Sequence, residues 1–175
     1  GTINTYPYTE NFDVSLGLWS NVGGDDFDWT QDCCGTLSNG TGPTDDNGGG
    51  GSYVYTEASD PNFPNKSTFL QLTFDFTSVS NPELAFFYHM FGAAMGTLNV
   101  DINGDNAVWS RSGQQQGAQG DPYTQAIVDL SNYAGLCNVI IRFRGITGGT
   151  WQSDIAFDDV SVYDCAINAG SASIS

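Results

Sequence analysis

Asp25-Asp26-Phe27-Asp28-Trp29 places three carboxylates and two large aromatics in five consecutive positions. In an extended chain, alternate side chains point to opposite faces. Phe27 and Trp29 then share a face directed at a core, while Asp26, Asp28 and Thr30 share the other. Three acids this close repel one another unless a positive charge joins them. The whole chain has four Lys+Arg against 20 Asp+Glu, so a bound cation is the natural neutraliser. The stretch reads as a strand, Phe27 to Gln31, with one face in the core and one on a metal.

Similar short extended segments lie on both sides of it. Thr5 to Asp13 is expected to form a first strand anchored by Tyr6, Tyr8 and Phe12. Residues 53–57, 67–74, 97–103, 107–110, 123–130, 139–144 and 155–163 read as further strands. Leu84 to Phe91 is almost wholly apolar, as a central strand buried on both faces would be. No segment keeps a 3.6-residue period with caps, so helix should be nearly absent. About ten short strands separated by Gly-rich breaks predict an all-β chain, an antiparallel β-sandwich of jelly-roll type. Residues 1–165 form one domain in this reading, and 166–175 form a C-terminal tail or linker. Residues 32–52 form a long Gly-rich loop, of the kind that is usually functional or ordered by a ligand.

The net charge of −16 disfavours nucleic acid and anionic membranes, which are bound through Lys and Arg. It suits a salty exterior, where self-repulsion is screened. Four cysteines without a CxxC pair or a Cys/His cluster argue against zinc and for disulfides in an oxidising compartment. If residues 139–144 and 155–163 fold back about Gly148-Gly149, Cys137 and Cys165 end close together and bridge. Cys33-Cys34 either form a vicinal bridge or remain free. No apolar run is long enough to span a membrane.

Calcium takes six to eight oxygens. The expected ligands come from three stretches: Asp26 and Asp28, then Glu57 and Ser59, then Asp154 and Asp158; Asp13 is a weaker candidate. No EF-hand spacing exists, so the fold must assemble the site. Catalysis has little support. His89 is the only histidine and lies in an apolar run, and there is no GxSxG elbow. Trp151, Trp109 and Tyr123 fall in loops or at strand ends and are candidates to stack on a ligand, with Gln115 offering an amide beside them. Trp151, after Gly148-Gly149-Thr150, is the one expected to be most exposed.

Several motifs in order resemble a MAM domain, the extracellular module of meprin, A5 (neuropilin) and receptor tyrosine phosphatase mu. They are Asn11-Phe12-Asp13, the opening acidic-aromatic stretch, Thr41-Gly42-Pro43, residues 51–59, residues 84–92, Gly96-Thr97-Leu98, Trp109 and residues 154–160. The resemblance implies a non-catalytic jelly-roll sandwich, secreted or on a cell surface, attached to other domains, with a cation near the acidic motifs. It departs at Glu83, where the family has a cysteine; this favours Cys137 as the partner of Cys165. The Gly/Asn/Ser/Thr-rich composition is similar to bacterial members in large secreted proteins, particularly of marine bacteria. The expected partner is a polysaccharide, as for a carbohydrate-binding module. The alternative is another extracellular protein, or a purely structural spacer.

Overall fold

A computed structural model describes residues 1–165; the expected tail at 166–175 lies outside the described residues. The strands are β1 (Thr2–Ile3), β2 (Tyr8–Glu10), β3 (Ser20–Asn21), β4 (Thr30–Cys33), β5 (Ser52–Tyr55), β6 (Ser67–Phe74), β7 (Pro82–Met90), β8 (Thr97–Ile102), β9 (Asp105–Ser112), β10 (Thr124–Asp129), β11 (Val139–Ile146) and β12 (Ile155–Asp164). A 3-10 turn at Ser131–Tyr133 joins β10 to β11, and helix is otherwise nearly absent among the described residues. Sheet A runs β1-β6-β11-β8-β9, with β3 also on the edge of β6. Sheet B runs β10-β7-β12-β5-β4, with β2 also paired to β12. From β6 onward the chain passes repeatedly between the two sheets. This is the β-sandwich of jelly-roll type expected from the sequence.

Alternation decides which side chains meet between the sheets. Leu70, Leu72 and Phe74 of β6, Ile141 and Phe143 of β11, and Leu98, Val100 and Ile102 of β8 are all buried. From sheet B they meet Leu84, Phe86, Phe157, Val160 and Val162. Aromatic rings join the two layers. Phe143 stacks on Phe157 with centroids 4.0 Å apart, and Phe86 meets Phe143 edge-on at 4.9 Å. Trp29 is buried, stands edge-on to Phe157 at 5.0 Å and donates its indole N–H to the Thr68 carbonyl at 3.2 Å. A Cβ at Gly145 would come 3.0 Å from the Trp29 ring, so glycine there leaves room for the indole.

The opening stretch differs from its expected form. Regular pairing begins only at Thr30, and residues 23–27 bend after Gly23-Gly24. Trp29 still reaches the core, whereas Phe27 is only half-buried. The acids serve the backbone instead. Asp25 Oδ2 accepts the Phe69 N–H at 2.6 Å, and Asp26 Oδ2 accepts the Ser67 N–H at 2.8 Å. These are edge donors of β6 that lack a neighbouring strand there, and a carboxylate satisfies them as a ladder carbonyl would. The first long strand is likewise shorter than expected, confined to Tyr8–Glu10.

The Cys137–Cys165 bridge is not formed, and all four cysteines are free thiols. The physical reason is topological. β11 lies in sheet A and β12 in sheet B, so they are not a hairpin. Replacing Phe143 with alanine should remove the ring that touches Phe157, Phe86 and Trp19 together, at a cost of about 3–5 kcal/mol. Urea unfolding measures this, and a loss below about 1 kcal/mol would contradict the packing described.

Candidate functional site

The long loop, residues 34–51, folds onto the outer face of sheet B. Thr41 is fully buried; its Oγ1 accepts the Asp154 N–H at 2.9 Å and donates to the Phe91 carbonyl at 3.0 Å. Gln119 grips the loop from the other side, with Oε1 accepting the Gly40 N–H and Nε2 donating to the Thr41 carbonyl. Tyr123 donates its hydroxyl to the Asp45 carbonyl at 3.0 Å. Beneath this cover Tyr53, Tyr55 and Ala156 form a second apolar cluster, with Tyr123 packed against it. His89 is buried there, 5.3 Å from the Tyr123 ring, and its two ring nitrogens have no hydrogen-bond partner. Burial holds its pKa down to about 4, so it is neutral at physiological pH.

The six expected metal ligands fall into three places. Asp26 is on the edge of sheet A, bonded to Ser67 and 3.8 Å from the Lys66 ammonium; Asp28 is exposed nearby. Glu57, Ser59 and Asp154 come together beside β5 and β12. Glu57 accepts from the Ser59 backbone, the Ser59 hydroxyl and Tyr55, and Asp154 Oδ1 accepts the Ala58 N–H at 2.9 Å. Asp158 lies at a bulge in β12, where the register shifts and Asp159 takes a φ of +48°. Its Oδ2 accepts the Asn47 N–H at 3.0 Å, and Asp159 Oδ2 accepts the Asn47 side chain at 2.7 Å. Asp13 closes the other end of the loop by accepting the Ser52 N–H. The opening acids therefore do not meet the others, because they are engaged by β6. Among the described residues, no three His, Cys, Asp or Glu side chains form a group able to hold a metal ion.

Two of these acids are electrostatically unusual. Burial, aided by neighbouring Glu57, raises the Asp154 pKa to about 7. Burial also raises Asp158 to about 7, with Asp159 and Asp46 adding to the shift. Asp154 Oδ2 is buried and has no hydrogen-bond partner in the protein.

The candidate ligand residues are placed unevenly. Trp151 is 41% exposed on the β11–β12 connection. Trp109 is directed inward, edge-on to Phe86 and Tyr88, with the Arg111 guanidinium above it. Tyr123 is committed to the cover of sheet B, and Gln115 bonds local carbonyls of Ser112 and Gly113. Trp109 and Tyr123 are thus packing residues rather than a stacking platform.

An open polar surface lies on the outer face of sheet A. There Arg142 lies over the Phe69 ring at 4.5 Å, with Nε and Nη2 both donating to Gln71 Oε1. Arg144 forks onto Asp101 at 2.6 and 3.0 Å. Ser110 donates to Asn99, and Thr97 bonds Ser112. At one end a depression of about 390 Å³ is lined by Asp101, Asn103, Asn106, Asn138, Ile140 and Arg142. Sequence reasoning missed this surface. Its signal was present: Arg142 and Arg144, two of only four Lys+Arg, are two residues apart in an alternating strand.

With this geometry in hand, similarity to known proteins assigns the family. Residues 11–166 match the MAM domain family, meprin/A5/mu. The chain belongs to the MAM family. This MAM domain is 31% identical over 186 residues to the MAM domain-containing glycosylphosphatidylinositol anchor protein 2 of Mus musculus. That match covers 92% of this chain but 19% of the relative. Among solved structures, the fold is similar to the K1 cleaved adhesin domain of Lys-gingipain from Porphyromonas gingivalis W83. The TM-score is 0.63 at 18% identity, covering 90% of this chain and 98% of that one. It also resembles the carbohydrate-binding module TmCBM61, solved with β-1,4-galactotriose, with a TM-score of 0.56 at 12% identity, covering 88% and 94%.

The buried acids generate a pH dependence of defined sign. A folded-state pKa raised to about 7 means that between about pH 4 and 7 the fold holds a proton the unfolded chain has released. Stability therefore falls as pH rises through that window. His89, with its lowered pKa, works in the opposite sense up to about pH 6.5. Comparison with Asp154→Asn cancels it. In chelator-treated buffer, the wild type should lose on the order of 1–4 kcal/mol relative to Asp154→Asn between pH 4 and 8. Urea midpoints across this range measure the difference; a constant gap between the two proteins would refute the assignment.

Proposed function

We propose that this MAM domain is a non-catalytic, extracellular glycan-binding module that works as part of a larger protein. The observation that carries this reading is the outer face of sheet A. Its strands set side-chain amides and the Arg142 guanidinium around an open depression. Planar amides and guanidinium forks match sugar hydroxyls, which both donate and accept. Two features support it. The fold is shared with a module solved on a galactotriose and with a bacterial adhesin domain. Extracellular placement is in keeping with relatives named for a glycosylphosphatidylinositol anchor, and no helix among the described residues is long and apolar enough to cross a membrane. Attachment to further domains fits the small share of those relatives that the chain spans.

Calcium belongs to the same proposal in a narrower form than the sequence suggested. Glu57 and Asp154 are the expected ligands that the fold sets together, and the unpartnered Asp154 Oδ2 is a suitable oxygen for a hard cation. Two carboxylates alone do not complete the shell, so carbonyl and water oxygens supply the remainder. A bound cation replaces the proton on Asp154 and ties the Thr56–Ser59 turn to β12.

Two measurements test these readings. Affinity electrophoresis through gels containing neutral and acidic polysaccharides should retard the domain in at least one. Unaltered mobility in all of them, together with self-association in analytical ultracentrifugation, would favour protein adhesion instead. Adding calcium to chelator-treated protein should raise the melting temperature in the wild type and not in Asp154→Asn. An equal response in both proteins would remove the cation from this position.

A further inference from the structure

The strands of sheet B carry seven carboxylates and no Lys or Arg. Those of sheet A carry three arginines and two aspartates. A chain of net charge −16 has thus kept a slightly positive sheet on one side. On that side Arg144 is spent on Asp101, whose Oδ1 also accepts the Ala107 N–H. Arg142 is different. Among the described residues, the ion pairs are Lys66–Asp26 and Arg144–Asp101, and neither involves it. Arg111 also lacks a carboxylate partner, but it lies over the Trp109 ring and donates to the Ser110 carbonyl, whereas Arg142 borders an open depression.

Arg142 is also held ready. Phe69 supports the guanidinium plane from below, and Gln71 fixes one edge through two hydrogen bonds. The remaining edge meets no protein acceptor and borders the 390 Å³ depression. A side chain fixed in this way loses little further entropy on forming its next bond. Planar guanidinium prefers a planar anion, above all a carboxylate. Asn106 and Asn138 line the depression with amides suited to hydroxyls. Asn103 spends its amide on the Ile140 N–H and the Asn138 carbonyl, and the Asp101 carboxylate opposite Arg142 is held by Arg144.

We infer that the outer face of sheet A binds a carboxylate-bearing polysaccharide, with Arg142 taking the carboxylate of a hexuronate unit. This rests on the glycan-binding reading and narrows it to acidic chains. The acidic half of the molecule disfavours such a polymer on sheet B. There a second depression, of about 500 Å³, is lined by Glu10, Asp159 and Phe87 with no base. At physiological ionic strength the Debye length is about 8 Å, so the local charge on sheet A governs close contact despite the net charge.

The test uses the whole domain in affinity electrophoresis and calorimetry with polygalacturonate, alginate, a sulfated galactan, neutral galactan and xylan. Binding to a uronate polymer should exceed that to the neutral chains and weaken with added salt. Arg142→Gln should lower it about 10- to 100-fold, the weight of a charge-assisted hydrogen bond. Its melting temperature should remain near that of the wild type. Phe87→Ala, on the other sheet, should bind as the wild type does. Binding to neutral chains alone, indifferent to Arg142→Gln, would overturn this inference and leave the glycan module standing. A preference for the sulfated chain, or loss of binding in Phe87→Ala with Arg142→Gln unaffected, would also overturn it. No binding to any polymer would defeat both readings.

Discussion

Thr41 is the peg on which the arrangement of faces depends. Its hydroxyl spans from the Asp154 N–H to the Phe91 carbonyl, and the next residue, Gly42, donates its own N–H to Phe91. Through these bonds an irregular segment reaches across β7 and the start of β12. Without it, Tyr53, Tyr55 and His89 would be bared on the outside of sheet B. The loop in turn needs its own polar groups satisfied, and the acids do this. Asp45 and Asp46 accept the N–H groups of Gly50 and Gly51, while Asp158 and Asp159 hold Asn47. One part of sheet B is thereby closed by an acidic cover, and the face of sheet A is left as the regular open surface.

This division explains why so many carboxylates are tolerated. Most of those in the loop and at the edge of β6 act as local hydrogen-bond acceptors for backbone donors that have no strand beside them. Each such bond favours the ionised form, offsetting part of the mutual repulsion. Asp46, Asp154 and Asp158 are the exceptions, because burial outweighs their hydrogen bonds. Asp154 and Asp158 are the positions where a proton or a cation has the largest effect on the fold.

Much of the sandwich was legible from alternation alone. Ser67–Phe74 and Val139–Ile146 show the period of two that the structure confirms residue by residue. The buried character of Leu84–Met90 and the scarcity of helix were equally plain. Two things were not. The pairing of distant strands is set by the whole chain, so a bridge inferred from a hairpin of β11 and β12 failed once they entered different sheets. The destination of a carboxylate is also non-local. Asp26 was expected to ligate a metal beside Asp28, but its Oδ2 accepts the Ser67 N–H of β6, which has no strand beside it there. The aromatic candidates misled for a related reason: Trp109 alternates inward on β9, opposite Val100, and so belongs to the core. The outward arginines were not singled out, although the same alternation sends Arg142 and Arg144 to the outer face and basic residues are rare in the chain.

The central claim is that the open face of sheet A, rather than the acid-covered sheet B, meets the ligand. Backbone amide shifts of the isotope-labelled domain, recorded while titrating an oligosaccharide of whichever polymer binds, test this directly. The account predicts that the largest shifts cluster at Asn99–Asn103 of β8 and its turn and at Val139–Arg144 of β11. Shifts concentrated in residues 34–51, or around Phe87 and Asp159, would contradict it.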